Sequence, residues 1–274
     1  MCHRPDPDSF KQGVAEFFNQ RVEYDHEGDL HPRLAQRLLD YADLQPGYKV
    51  LDVATGTGLV AIAAAQQVAP TGWVVGVDLS EGMLSQAKRK LEALQLFNVS
   101  LYLKDAETLN LPEACFDYVL CSSALAYLTD IPANLGRWYR ALKPGGRVGL
   151  HGFSDQAFVA SVVMRTVAQR YGVTLVFNQP TETEQQYRSL LTKANFTQIA
   201  IHTEQFGHYI SLETAQQFWN PDSQNPLLHP LRQLSPAQLE RAKQDYYAEL
   251  AALETSEGIW NDISTFFVFG EKQT

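Results

Sequence analysis

The apolar positions near the start of the chain recur with the period of a helix. They lie mostly three or four residues apart, and a Pro-Gly pair at 46–47 follows them. Apolar residues at this spacing cover one face of an α-helix, and Pro-Gly ends it. We therefore predict two amphipathic helices whose buried faces hold the following residues: Phe10, Val14, Phe17, Phe18, Val22, Leu34, Leu38, Leu39 and Ala42.

From residue 49 the pattern changes to short β-branched runs among helical ones. The runs KVLDVATGTG, WVVGVDLS, VSLYLKD, FDYVLC and RVGLHGFS predict strands, the first of them ending in a glycine turn. The runs LVAIAAAQQVA, EGMLSQAKRKLEALQL and IPANLGRWYRALKPGG predict helices, the last of them ending in a proline-glycine turn. Such alternation is typical of βαβ units, whose parallel strands are covered by helices on both faces. We predict an α/β fold with a doubly wound, mostly parallel sheet.

The C-terminal half is less regular. Thr181, with Glu184 three residues on, is expected to cap a helix in TETEQQYRSLLTKANF. FTQIAIHTEQFGHYI and STFFVFGEK predict two strands, and the helical residues between them form an insertion of the kind that covers a site. We divide this single domain into a lid over 9–43, a core over 44–155, and a C-terminal half over 156–274 with a helical cap at about 210–262.

The charge balance limits the partners of the protein. The net charge is -9. Because nucleic acids and anionic membranes are bound mainly through Lys and Arg, we expect neither as a partner. Cys2, Cys115 and Cys121 form no C-x-x-C pair, so we expect no disulfide framework or zinc site and a cytoplasmic location. Residues 1–8 lack an apolar period and are expected to be disordered, without a signal peptide or a membrane span nearby.

The candidate chemistry begins where the first predicted strand runs into glycines. In VLDVATGTG, Gly56 and Gly58 allow a sharp turn and a close approach of the backbone to a ligand, before a helix whose start offers free N–H groups. A plain tight turn or a dinucleotide site would show the same glycines. Asp78 ends the second strand and could bind both hydroxyls of a ribose, because Ser80 is better placed to cap the next helix.

Further polar residues are predicted at the same edge of the sheet. In open α/β sheets, ligands bind at the carboxyl ends of the strands. The residues that end strands or follow them directly are Asp52, Gly56, Gly58, Asp78, Asp105 and Ser122. Their shared position indicates one ligand site more strongly than any single motif does.

Four segments together resemble a known family. VLDVATGTG, VVGVDLSEGML, DAETLNLPEACFDYVLCSSAL and RALKPGGRV look like the successive motifs of class I methyltransferases that use S-adenosylmethionine (SAM), closest to the ubiquinone and menaquinone biosynthesis type. The match in order and spacing covers roughly residues 10–155. The resemblance implies a Rossmann-like sheet of seven strands with an antiparallel last pair, an N-terminal lid, and SAM as cofactor with S-adenosylhomocysteine (SAH) as product.

The resemblance also implies roles for individual residues. The glycine loop with Thr57 would face the methionine part of SAM, Asp52 would orient its amine, and Tyr24 in the lid would contact its carboxylate. Asp78 with Leu79 would hold the ribose. The other implied cofactor residues are Met83 against the adenine, Asp105 and Ala106 at its amino group, and Ser122 near the sulfonium.

The acceptor is expected to be a small, largely apolar or aromatic molecule such as a phenol, a quinone or a polyketide-like compound. The expected pocket residues are Phe18, Tyr127, His208 and Trp219, although aromatic residues at helical spacing are often plain core. His151, after the fifth strand, is the first candidate for a general base, and a histidine merely hydrogen-bonded there is the alternative. Tyr24, His26 and His31 are weaker candidates. No metal is expected.

Two other functions share these motifs in part. An NAD-dependent oxidoreductase would explain the glycine turn and Asp78, but not Asp105 or the KPGG turn. A non-catalytic SAM-binding protein would keep the ligand residues without turnover. Within the transferase hypothesis, methylation of oxygen and of carbon are both open, and methylation of nitrogen is less favoured.

Overall fold

A computed structural model describes residues 7–274 and contains two sheets. The parallel strands at the centre of the larger sheet are buried along most of their length, as expected when both faces are covered. Over the described residues the strands are β1 Lys49–Val53, β2 Trp73–Asp78, β3 Val99–Leu103, β4 Phe116–Ser122, β5 Leu142–Phe153, β6 Thr197–Gln205, β7 His208–Ile210, β8 Ile259–Asn261 and β9 Ser264–Glu271.

Helices connect these strands and also precede them. Short 3-10 helices lie at Tyr24–His26, Leu125–Tyr127 and Pro226–Gln233. Over the described residues the α-helices are α1 Pro7–Asn19, α2 Leu30–Ala42, α3 Leu59–Val68, α4 Glu81–Ala93, α5 Ile131–Ala141, α6 Val159–Arg170, α7 Glu184–Lys193, α8 Leu212–Gln217 and α9 Pro236–Ala252. Among these residues, no helix combines the length and the apolar character that a membrane span requires.

The larger sheet has seven strands in the order β3-β2-β1-β4-β5-β9-β6. The first five are parallel, and β9 lies antiparallel between β5 and β6. Pairs such as Asp52 with Leu120 align β1 and β4, so that their carboxyl ends meet at one edge. The predicted fold is thus confirmed, including its antiparallel last pair.

Two apolar cores cover the two faces of this sheet. One contains α5 and α7, through residues such as Trp138 and Leu191. The other contains α2 and α3, through residues such as Leu38 and Ala64. A third cluster, away from the sheet, joins α6 to α8, α9 and β8. The cap therefore has a core of its own, which includes a helix that precedes the predicted insertion.

The structure corrects the prediction of one long strand through His208. The strand β6 ends at Gln205, and His208 begins β7, which pairs with β8 in a separate two-stranded sheet. Gly207 lies at the break, where a Cβ would come within 2.7 Å of the Trp260 ring and 2.8 Å of the Asn261 oxygen. Only glycine fits this close approach, and the chain leaves the large sheet for the cap at this point.

The predicted ends of two helices are also corrected. Thr183 caps α7 in a reciprocal pair with Gln186, whereas Thr181 donates a hydrogen bond to the Asn178 oxygen at 2.6 Å. In the lid, α1 begins already at Pro7, within the segment expected to be disordered, and ends before Val22, which is exposed. Residues 1–6, including Cys2, lie outside the described part of the chain.

Candidate functional site

One cavity opens at the carboxyl ends of the parallel strands. It holds about 1030 Å³ of space, including space open to solvent. The loops after β1, β2, β3 and β4 form its floor, and the lid residues of α1, the Tyr24–His26 helix and α2 cover it. The predicted site residues that line it are Phe18, Tyr24, Asp52, Gly56, Thr57, Asp78, Leu79, Met83, Asp105, Ala106, Ser122 and Tyr127.

The glycine loop after β1 approaches the cavity with its backbone. Gly56 and Gly58 have φ values of 55° and 80°, which glycine adopts without a steric penalty. A Cβ at Gly56 would meet no atom within 4 Å, so the loop faces open space there. A Cβ at Gly58 would lie 3.2 Å from that of Ala87, and Gly58 is outside the cavity lining. Gly58 thus allows α3 and α4 to pack closely, which differs from the ligand contact expected for it.

Asp78 connects the glycine loop to α4. Its Oδ2 accepts a hydrogen bond from the Gly56 N–H and its Oδ1 accepts one from the Ser80 N–H, both at 2.8 Å. Burial raises the pKa of Asp78. As predicted, Ser80 is the residue that caps α4, since its Oγ accepts from the Met83 N–H. Each oxygen of Asp78 keeps a further lone pair, so the carboxylate can accept two hydrogen bonds from a ligand.

Asp52 is the most deeply buried carboxyl group at the cavity. Its Oδ2 accepts a hydrogen bond from the Thr55 hydroxyl at 2.6 Å. Burial, together with the charge of Asp78, raises the pKa of Asp52 to about 7, although the bond from Thr55 opposes the shift. A nearby cation favours the charged form of a carboxyl group, so Asp52 is suited to meet an ammonium group.

Lys11 of α1 closes the cavity over the loop after β3. Its Nζ lies 2.7 Å from Asp105 Oδ2 and 2.9 Å from Glu107 Oε2. The remaining oxygen of Asp105 accepts from the Glu107 N–H at 2.8 Å. The carboxylate predicted to meet adenine is therefore already paired with the lid, with lone pairs left for one more donor.

Glu107 links this loop to the segment that begins α5. It accepts hydrogen bonds from the Thr129 hydroxyl at 2.7 Å, the Asp130 N–H at 3.0 Å and the Asn134 amide at 2.5 Å. Burial alone would raise the pKa of Glu107, but these bonds and Lys11 lower it well below its usual value. Glu107 is thus a charged residue that links the lid to the segment after β4. The sequence analysis did not identify it.

Two further side chains hold the lid on the core through hydrogen bonds. Asn19 Oδ1, at the end of α1, accepts from the Ser80 hydroxyl at 2.8 Å and the Gly82 N–H at 2.9 Å. Asp25 accepts from the Thr57 hydroxyl and from Lys90, each at 2.5 Å. The lid is therefore held through residues that themselves border the predicted cofactor site.

Aromatic rings form the other end of the cavity. Phe18 packs edge-to-face on Tyr127, with ring centroids 5.2 Å apart, and lies 6.3 Å from Tyr24. Tyr24 stacks on His31 at 5.2 Å, and the Arg21 guanidinium lies 4.3 Å from the Tyr24 ring centroid. Aromatic faces attract cations, so this end can accommodate both an apolar ring and a positive sulfonium.

The histidine on the cavity wall is His31. Burial, helped by the charge of Arg21, lowers the pKa of His31 to about 4, so the ring is neutral at pH 7. A neutral imidazole can accept a hydrogen bond, and the lowered pKa makes this ring a weak base. His26, the other lid histidine, is exposed and lies outside the cavity lining.

The structure places His151 behind the cavity wall and not on it. The side chain is fully buried, with Nδ1 2.8 Å from Ser123 Oγ and Nε2 2.5 Å from Thr265 Oγ1. Burial lowers the pKa of His151 to about 3. This corrects the expected position of the candidate base, because both ring nitrogens are hydrogen-bonded within the protein. Ser123, which does line the cavity, was not singled out from the sequence.

Two predicted pocket residues lie in the cap. Trp219 packs on Tyr246 in the third apolar cluster, at a centroid distance of 5.2 Å. His208 is exposed on β7. Neither lines the cavity. Asn225 of the cap bonds to the cavity wall at the hydroxyl of Tyr127. Among residues 7–274, no cluster of His, Cys, Asp and Glu is able to hold a metal ion.

Known proteins that are similar to this chain include methyltransferases. Residues 50–146 match a family described as methyltransferase domain. The nocamycin O-methyltransferase of Saccharothrix syringae is 40% identical over 43% of this chain and 42% of its own length. The demethylmenaquinone methyltransferase of Symbiobacterium thermophilum is 37% identical over 52% of this chain and 60% of its own length. The chain thus matches about half the length of these relatives.

The fold has a counterpart in a solved structure. The YcgJ protein from Bacillus subtilis aligns with a TM-score of 0.58 at 17% identity, covering 89% of this chain and 100% of that one. This likeness concerns the fold alone. By sequence, residues 50–146 are the part of the chain that is similar to a methyltransferase domain.

Proposed function

We propose that the protein is a SAM-dependent methyltransferase acting on an oxygen or a carbon of a small, largely apolar or aromatic molecule. The observation that carries this proposal is the division of one cavity into two ends. Carboxyl groups from β1, β2 and the loop after β3 border one end, and aromatic rings of the lid and of the wall after β4 border the other. The relatives named for nocamycin and demethylmenaquinone support an acceptor of this class.

The polar end fits the groups of SAM one by one. Asp78 can accept the two hydroxyls of the ribose, and Asp52 is suited to the ammonium of the methionine part. Asp105 retains lone pairs for the adenine amino group, and Met83 provides an apolar surface beside it. The open space in front of Gly56 leaves room for the ligand along the loop.

When bound, SAM supplies an electrophilic methyl group on a positive sulfonium. The protein contributes alignment of the acceptor with that methyl group, and alignment alone can be worth about 7–11 kcal/mol of the barrier. Phe18, Tyr24 and Tyr127 exclude water from the aromatic end and stabilise positive charge there. His31, which burial keeps neutral, can accept a hydrogen bond from a hydroxyl at this end, but its lowered pKa makes it a weak base.

The first experiment is thermal unfolding with SAM, SAH and NAD, for the wild type and Asp78→Asn. A ligand at 100 times its Kd stabilises a protein by about 2.7 kcal/mol, which raises the Tm of a chain of this size by several degrees. We expect SAM and SAH, and not NAD, to raise the Tm of the wild type. Asp78→Asn should lose most of the shift relative to its own unliganded Tm.

Asp117→Asn is the matched control, because Asp117 lies at the opposite edge of the sheet. Asp117 lies at the start of β4 and pairs with Lys143 at 2.8 Å. Removing its charge lowers the stability of the protein and changes no residue of the cavity. The variant should keep the full response to SAH. A shift with NAD alone would indicate an oxidoreductase. Binding of SAM without methylation of any compound in a phenol, quinol and polyketide panel would indicate a non-catalytic protein.

A further inference from the structure

Ser123 occupies an unusual position on the cavity wall. It directly follows β4, lines the cavity, and has a φ of 56°, in the left-handed region that non-glycine residues seldom adopt. Ala54, which follows β1 and also lines the cavity, has a φ of 54°. Non-glycine residues in this region are strained and cluster at ligand sites. The turn directs Ser123 Oγ to within 2.8 Å of His151 Nδ1.

The hydrogen bonds behind Ser123 have a defined direction. Thr265 Oγ1 donates its only hydrogen to the Gly152 oxygen at 2.8 Å, so it must accept from His151 Nε2, which lies 2.5 Å away. A neutral imidazole carries one hydrogen, which is therefore on Nε2, and Nδ1 is an acceptor. The network thus assigns the tautomer of His151, and Ser123 donates its hydrogen to Nδ1.

This direction determines what Ser123 offers to the cavity. The hydroxyl hydrogen of Ser123 is donated to His151 Nδ1, so the hydroxyl presents only oxygen lone pairs to the cavity. We propose that Ser123 orients the methyl acceptor by accepting a hydrogen bond from it, which selects a phenol, hydroquinone or enol over the matching ether or carbonyl compound. This inference rests on the proposed function and names the acceptor class for the same site.

His151 acts here as a positioning residue. It touches no ligand, and its buried ring stays neutral because burial opposes its charge. It therefore holds the hydroxyl of Ser123 in one orientation and does not remove a proton through it. A positive charge on His31, which lines the cavity, would further oppose a charge on His151.

The first test needs no acceptor. Nitrogen NMR of the histidine side chains, assigned with a His151→Asn variant, reports which ring nitrogen carries the hydrogen, in the free and the SAH-bound full chain. We expect a protonated Nε2 and a bare Nδ1. The opposite tautomer would overturn the proposal, because Ser123 would then accept from His151 and could donate to the cavity.

The second test measures binding of 1-naphthol and 1-methoxynaphthalene to the SAH-saturated protein. The two probes share their rings and differ in the O–H donor. A net hydrogen bond of about 1 kcal/mol predicts that the wild type prefers naphthol about fivefold. Ser123→Ala should bind both probes about equally. Ser123→Gly should do the same and also removes the backbone strain, so misfolding would not explain the loss.

Ser189→Ala on the exposed surface of α7 is the matched control and should keep the preference. Serine variants that keep the wild-type preference would overturn the inference, as would a wild type that binds naphthol no better than its ether. SAH affinity separates the two proposals. If the serine variants keep their SAH affinity and lose the preference for naphthol, both proposals are supported. If the wild type does not bind SAH, the proposed function itself fails.

Discussion

At the scale of single residues, burial and hydrogen bonds shift the pKa values of the ionisable groups at this site. Burial raises the pKa of Asp52 to about 7 and keeps His31 and His151 neutral. Hydrogen bonds and Lys11 keep Glu107 charged. The direction of each shift follows from whether hydrogen bonds or burial dominates around the group. The sequence places these residues near one another, but it does not show how many bonds each one receives.

We predict that His151 makes the protein sensitive to mild acid. Its pKa is lowered from 6.5 to about 3, so below pH 6.5 the unfolded chain binds a proton that the folded protein excludes. Stability therefore falls as the pH falls, by about 1.4 kcal/mol per pH unit. Between pH 7 and pH 5, the unfolding free energy of the wild type should fall by about 2 kcal/mol more than that of His151→Gln.

Denaturant unfolding at each pH measures this difference. Values at pH 8, where histidine is neutral in both states, give the pH-independent packing cost of the substitution. Parallel pH dependences in the two proteins would show that His151 is protonated in the folded state.

At the scale of elements, α1 is held on the core by polar contacts as well as by apolar packing. Lys11 joins it to the loop after β3, and Asn19 joins its end to the start of α4. Such contacts can break one at a time, whereas Phe10 and Val14 bury its apolar face. The lid therefore combines a packed helix with bonds that a ligand can replace.

We predict that Lys11→Gln loosens the lid in the unliganded protein. Loss of a partly buried ion pair worth about 1 kcal/mol should make amide hydrogen exchange over residues 7–19 about fivefold faster. SAH should slow exchange of the lid in the wild type. The exposed Lys193→Gln removes the same charge from α7 and should leave the lid unchanged. A lid whose exchange responds neither to Lys11→Gln nor to SAH would contradict this account.

At the scale of the whole molecule, the cap is a second packing unit beside the sheet. Tyr246 is fully buried in its cluster and donates a hydrogen bond to the Ala215 oxygen at 2.7 Å. Asn225 of the cap bonds to the hydroxyl of Tyr127 on the cavity wall. The cap is therefore placed to affect the acceptor end more than the cofactor end.

We predict that Tyr246→Ala destabilises the cap by about 3–5 kcal/mol, because it leaves a cavity at the centre of the cluster. Hydrogen exchange should show early opening of α8 and α9, while SAH still raises the Tm. Tyr246→Phe, which loses only the hydrogen bond, should cost about 1 kcal/mol. Loss of SAH binding in Tyr246→Ala would show that the cap and the cofactor end are one cooperative unit.

The sequence by itself determined the sheet and the edge at which the site lies. Apolar runs, glycines and strand-ending carboxylates are local signals, and parallel strands bring their carboxyl ends together in any doubly wound sheet. For this reason Asp52, Asp78 and Asp105 were located correctly at the cavity. Their roles in binding SAM remain predictions until the ligand experiments are done.

Only the tertiary structure decided which side chains beyond these reach the cavity. His151 and Ser123 come together from β5 and the end of β4, and Lys11 reaches Asp105 across 94 positions of sequence. The turn at Gly207 carries His208 away from the sheet. Such contacts depend on the packing of distant elements and on the direction of each side chain, and a periodic pattern of apolar residues carries no information about either.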